Sequence, residues 1–129
     1  MNYVYVAIGS AAGGLARFAL GGWLQRRLGM AFPIGTLVVN VTGSFLLGVI
    51  LVVVARHQGP QADATRLLLA VGLCGGYTTF STFSADTVGL IEGGASGIAA
   101  LNVALSVGLA LLATFAGVAL TRSMLGRVS

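Results

Sequence analysis

The sequence predicts an all-α integral membrane protein with four transmembrane helices, the third of them broken at midspan. Three observations predict it. The 129-residue chain is 57% hydrophobic and only 8% charged, whereas soluble domains carry roughly 25% charged residues. So few charges do not cover a water-facing surface. Four apolar runs, near residues 3–24, 34–55, 67–91 and 98–120, punctuate the chain. Each has about 20–25 residues, enough at ~1.5 Å per residue to cross a ~30 Å hydrocarbon core. Finally, Gly75-Gly76-Tyr77-Thr78-Thr79-Phe80-Ser81-Thr82-Phe83-Ser84 places paired glycines and a row of hydroxyls inside the third run. Residues 1–129 form one domain, since the length allows no more.

The first run is rich in small residues and carries Arg17. Gly9 and Gly13 lie four apart, a spacing that lets helix backbones approach closely, although glycine is also common in membrane helices generally. The N-terminal Met-Asn-Tyr-Val-Tyr has no basic leader and reads as the start of a retained span. Arg26 and Arg27 mark an interface, and Phe32-Pro33 opens the second run. Thr36 and Asn40, four apart, share one face of that helix. Arg56 to Arg66 is the most polar connection, with Gly59-Pro60 and Asp63. Beyond the third run, Glu92-Gly93-Gly94-Ala95-Ser96-Gly97 reads as a short turn. The fourth run sets Asn102, Ser106 and Thr114 along one helical stripe, and Arg122 and Arg127 close the chain.

Four spans put both termini and the middle loop on one side. That side collects Arg56, Arg66, Arg122 and Arg127 against Arg26 and Arg27 opposite. Four against two is a weak orienting bias under the positive-inside rule. It is compatible with insertion in either direction and with an antiparallel homodimer of dual topology. Four short helices also enclose too little volume for a water-lined path of their own, so oligomerisation is expected on size grounds. The formal charge of +4 comes from arginine alone. No basic stripe interleaves with aromatics, so nucleic acid is not an expected partner.

The chemistry that is absent narrows the function. His57 is the sole histidine and Cys74 the sole cysteine, which excludes an intrachain disulfide and a His/Cys metal cluster within one chain. No phosphate-binding glycine loop occurs. Arg17 and Asp86 are the only ionisable groups inside the spans, too few for positioned acid–base work. Enzymatic function is not expected.

Neutral donors are present instead. Asn40, Asn102 and the Ser and Thr hydroxyls offer N–H and O–H groups without charge. Such a row replaces the water around a small, strongly hydrated anion. Phe80 and Phe83, three apart, add the positive edges of aromatic rings while excluding bulk water. Taken singly, each residue also fits ordinary helix packing or interhelical hydrogen bonding. Glycines before Thr78-Thr79 permit non-helical backbone, and a break there would free carbonyls near the bilayer middle for a small cation.

The third-span segment, together with Gly35-Thr36-Leu37-Val38-Val39-Asn40, resembles the Fluc (CrcB) fluoride channels over essentially the whole chain. The resemblance implies an antiparallel, dual-topology dimer with two fluoride pores. By that resemblance Phe80 and Phe83 match the phenylalanine box, Asn40 the pore asparagine, and Ser81 and Thr82 hydroxyls near the ion path. Gly75 and Thr78 match positions whose carbonyls hold a structural Na⁺ at the dimer interface, and Arg17 an arginine near the aqueous vestibule. Thr36 and the fourth-span residues Asn102, Ser106 and Thr114 fit the polar track, which Ala110 interrupts. Asp86 stands where glutamate is expected, keeping the charge with a shorter reach.

The expected function is therefore a passive fluoride-selective channel in the cell (inner) membrane, draining the ion from the cytoplasm. The alternative is a small proton-coupled multidrug-type exporter, which needs a membrane carboxylate; Asp86 is the sole candidate. A purely structural membrane scaffold would carry no ion flux.

Overall fold

A computed structural model describes residues 1–126; Arg127, noted above as closing the chain, lies outside them. The described residues are helical, without strands. Four segments are long and apolar enough to cross a membrane: Asn2–Leu28, Ile34–Ala55, Pro60–Glu92 and Ser96–Gly126. The chain is a multi-pass membrane protein.

The first helix, α1 (Asn2–Leu28), outlasts its apolar run. Arg26 and Arg27 occupy its last turn, where cations oppose the negative end of the helix dipole. Gly29 then stops it in the left-handed region (φ 56°, ψ 26°), its N–H bonded to the Gln25 carbonyl at 3.1 Å. Next, α2 (Ile34–Ala55) has the bounds expected from the sequence, starting after Pro33.

The third span begins earlier than its hydropathy suggests. Pro60 occupies the first turn of α3 (Pro60–Thr65), where its missing N–H is harmless, so half of the polar connection is already helical. A π-helical stretch, Arg66–Cys74, follows, then the single turn α4 (Gly75–Tyr77) and α5 (Phe80–Glu92). The whole is a joined, bent span. Within it Thr78 (φ −78°, ψ 155°) and Thr79 (φ −151°, ψ 115°) are extended. The last helix, α6 (Ser96–Gly126), is 31 residues long.

Two packed pairs organise the chain. One is α1 against the π-helical stretch and α4; the other is α2 along α6. A smaller contact of α5 with α6, and of α1 with α2, joins them. Glycine explains the first pair. Gly9 and Gly13 are buried, and they meet Gly72 and Gly76, which carry the same spacing of four. A Cβ on Gly72 would stand 2.9 Å from the Gly9 Cα, and one on Gly13 2.7 Å from the Tyr77 nitrogen. Real Cβ atoms do not come that close to backbone, so the seam tolerates only hydrogen. The spacing noted in α1 is therefore a packing device and not incidental glycine content. Gly48 and Gly117 act likewise in the second pair: a Cβ on either would lie 3.1–3.2 Å from the facing backbone nitrogen of Val118 or Val49.

The buried side chains are small or few. Val39 is fully buried, and Leu37, Val52, Ala70, Cys74, Phe83, Ala99 and Ala113 complete the apolar core. Large apolar residues such as Phe18, Leu111 and Phe115 lie exposed along the outside of the helices. In water such a surface would aggregate; lipid or a second chain covers it at no hydrophobic cost.

Candidate functional site

The extended pair Thr78-Thr79 is the centre from which the site is built. Extended backbone inside a membrane span exposes peptide groups that hydrocarbon does not solvate, each costing on the order of several kcal/mol. Asn40 of α2 answers this directly. Its Oδ1 accepts the Thr79 N–H at 2.7 Å, and its Nδ2 donates to the Thr79 carbonyl at 3.0 Å. One side-chain amide thus engages both the N–H and the carbonyl of one residue, as a neighbouring β-strand would.

Thr79 then starts α5. Its hydroxyl oxygen accepts the Thr82 N–H at 3.1 Å, a side-chain N-cap worth about 1 kcal/mol. The same hydroxyl donates to Thr82 Oγ1 at 3.0 Å and lies 3.2 Å from Ser81 Oγ. These two arrangements share a consequence. In a continuous α-helix the Gly75 carbonyl would receive the Thr79 N–H, and the Thr78 carbonyl the Thr82 N–H. Both N–H groups are engaged by side chains instead. Gly75 is exposed, with open space where a Cβ would stand.

A cavity of about 660 Å³ opens between α1, α2 and α5. Thr36, Thr79 and Thr82 line it with hydroxyls, and Arg17 and Asp86 supply its two charges. Asp86 does not pair with Arg17: its Oδ2 accepts the Thr36 hydroxyl at 2.7 Å. Arg17 is half-buried, and its buried Nε has no hydrogen-bond partner. Gln25 shapes one wall. It donates to the Met30 and Phe32 carbonyls and accepts the Gly35 N–H at 3.2 Å, pinning the α1–α2 turn.

Beside this cavity Phe80 and Phe83 tilt together, with ring centroids 5.3 Å apart and planes at 54°. The two differ sharply in burial. Phe83 is in the core, while Phe80 is 77% exposed on the outside of the chain.

With the geometry in place, comparison with known proteins decides the family. Residues 4–118 match the family model described as CrcB-like protein, Camphor Resistance (CrcB). The chain belongs to the CrcB family. Its relatives include a protein of Coxiella burnetii, 42% identical over 96% of this chain and 100% of its own length. Another, from Rhizobium meliloti, is 45% identical over 96% and 99% of the two chains. A third, from Cereibacter sphaeroides, is 48% identical over 94% of each. All three are called fluoride-specific ion channel FluC. The CrcB family is thus one of ion channels and not of enzymes.

Within this CrcB chain, Thr36 and Asn40 share a face as their spacing requires, and both turn to the third span. Arg17, Thr36 and Thr82 meet around the cavity. The fourth-span residues lie apart from it. Ser106 donates to Asn102 Oδ1 at 3.2 Å, Asn102 donates to Thr87 Oγ1 at 3.0 Å, and Thr87 donates to the Phe83 carbonyl at 2.7 Å. That buried file of hydrogen bonds ends behind Phe83. Thr114 is remote from it, at the α2–α6 crossing, with its hydroxyl directed to the Ser44 and Ala110 carbonyls.

Several polar residues of the site carried little sequence signal. Thr79 had one, being an N-cap type three residues before Thr82. Gln25, Thr87 and the Thr42–Tyr77 hydroxyl pair, 2.9 Å apart, had none, because their partners lie on other elements or many residues away. No group of three His, Cys, Asp or Glu suited to a metal occurs among the described residues.

Proposed function

We propose that the chain forms a passive, fluoride-selective channel that releases fluoride from the cytoplasm across the inner membrane. Two copies pack antiparallel, in dual topology, and make two pores. The name shared by close, full-length relatives supports the reading. The observation that carries it here is a cavity lined by the Thr36, Thr79 and Thr82 hydroxyls with Arg17 and Asp86, whose α5 wall also carries the tilted pair Phe80 and Phe83.

In this reading Arg17 raises the local anion concentration at the cavity mouth. Ser81 and Thr82 offer O–H donors, and the second amide proton of Asn40 adds an N–H; Thr36, whose own O–H is given to Asp86, belongs to the polar wall beside them. Phe80 and Phe83 present ring edges to the dehydrated ion. The exposure of Phe80 fits a ring completed by the second chain. Asn102 and Ser106 extend the polar track behind Phe83, and Thr114 continues it along α6. The break at Thr78-Thr79 lies at the dimer interface, where the Gly75 and Thr78 carbonyls of both copies hold a Na⁺. The donor set fits such an ion: neutral carbonyl oxygens relieved of their helical donors, with no carboxylate to favour a divalent cation. Its role is to neutralise those oxygens at the seam.

Fluoride-electrode efflux from proteoliposomes, with chloride as control, tests the reading. Wild type passes fluoride and not chloride. Asn40→Asp and Phe80→Ile abolish the efflux while dimers still form. Equal passage of both halides, or unchanged efflux in both variants, rejects the pore.

One observation gives the exporter reading a foothold: Asp86, a carboxylate, lines the cavity. An exporter would need a proton gradient, whereas the channel moves net charge without one. Efflux under matched pH separates them.

A further inference from the structure

We infer that Asn40 and Thr79 are positioning residues for the interface cation, because their side chains take the two backbone protons that would otherwise occupy its carbonyl ligands. The inference rests on the cation reading above and goes beyond it by naming what creates the site. The Thr79 N–H is held by Asn40 Oδ1 at 2.7 Å, so it does not return to the Gly75 carbonyl. The Thr82 N–H is held by Thr79 Oγ1 at 3.1 Å, so it does not return to the Thr78 carbonyl. Asn40 Nδ2 also occupies the Thr79 carbonyl at 3.0 Å, which removes that oxygen as a competing ligand. A carbonyl without a donor inside a membrane span is costly and seeks a cation; one bonded to its helical N–H is not available to it. The same asparagine that faces the ion path thereby links α2 to the cation site.

The experiment measures the thermal unfolding midpoint of the purified dimer in detergent as Na⁺ replaces choline at constant ionic strength. A ligand that binds only the folded protein raises the midpoint, by a stabilisation that grows as the logarithm of its concentration over its Kd. Wild type responds to Na⁺. Thr79→Val and Asn40→Ala need at least about tenfold more Na⁺ for the same rise in midpoint, because weaker ligands follow from reclaimed carbonyls. Thr79→Ser, which keeps the cap, stays within about threefold of wild type. If Thr79→Val does not fold, Thr79→Gly replaces it, since glycine is tolerated at an N-cap and lacks the hydroxyl.

A purely structural role predicts something else: a midpoint lowered equally at every Na⁺ concentration, with an unshifted titration. That outcome overturns the inference while leaving the cation in place. A wild type that ignores Na⁺ overturns both the cation and the inference, and fluoride efflux from the same preparation shows whether the channel reading survives.

Discussion

The two faces of the third span are held in opposite ways. Towards α1, the π-helical stretch and α4 come backbone to backbone with Gly9 and Gly13, so close that no Cβ fits at Gly9, Gly13, Gly72 or Gly76. Towards α2, Thr79 and Asp86 are held by side-chain polar groups, Asn40 and Thr36. The first contact is close and featureless, and it fixes where the span sits. The second is specific and polar, and it fixes the shape of the backbone at the site. In a bilayer, where hydrophobic burial gives no preference for one helix neighbour over lipid, these are the two means left: close packing and hydrogen bonds.

The difference is testable by breaking each side in turn. Gly13→Leu should have the largest effect. Its Cβ already meets the Tyr77 nitrogen at 2.7 Å, and further atoms have nowhere to go. No monodisperse protein is expected on size-exclusion chromatography after membrane extraction. On the polar side Thr36→Val leaves the Asp86 carboxylate without its hydroxyl donor. Hydrogen bonds to charged groups are worth about 1.5–3 kcal/mol, so a clear fall in thermal midpoint is expected, with the fold retained.

Smaller changes sharpen the contrast. Gly108 of α6 has nothing within 4 Å of its would-be Cβ. Gly108→Ala should therefore stabilise the helix, by up to about 1 kcal/mol from backbone propensity, and raise the midpoint. Glycine matters at a seam and not in general, and that pair of opposite signs would show it. Thr114→Val removes one hydroxyl bond between α6 and α2. Interhelical hydrogen bonds in membranes average about 0.6 kcal/mol, so the midpoint should barely fall. Fluoride efflux of the same variant shows whether Thr114 belongs to the polar track.

The sequence spoke clearly about what depends on local composition. The second span has the expected ends because Pro33 and the polar Arg56-His57 bracket a uniformly apolar run. The third span starts early because hydropathy averages do not register that Pro60 suits a first turn. The site was legible in part. The Gly-Gly-x-Thr-Thr pattern marked where two residues turn extended, although the span as a whole is joined and bent, and the spacing of Thr36 and Asn40 marked a shared face. That Asn40 grips the Thr79 backbone, that Asp86 takes Thr36 and not Arg17, and that Thr114 turns to the Ser44 carbonyl depend on how the helices cross.

Composition and spacing by themselves determined a four-span membrane chain with one polar interruption, while leaving it to the contacts of the α1 glycines to show that they form a packing seam. Those properties depend on transfer free energy and helical period, which act over neighbouring residues. Tertiary structure alone decided which hydroxyl meets which carbonyl and which ring stays buried. Such pairings join residues tens of positions apart, and local pattern does not encode the crossing of one helix over another.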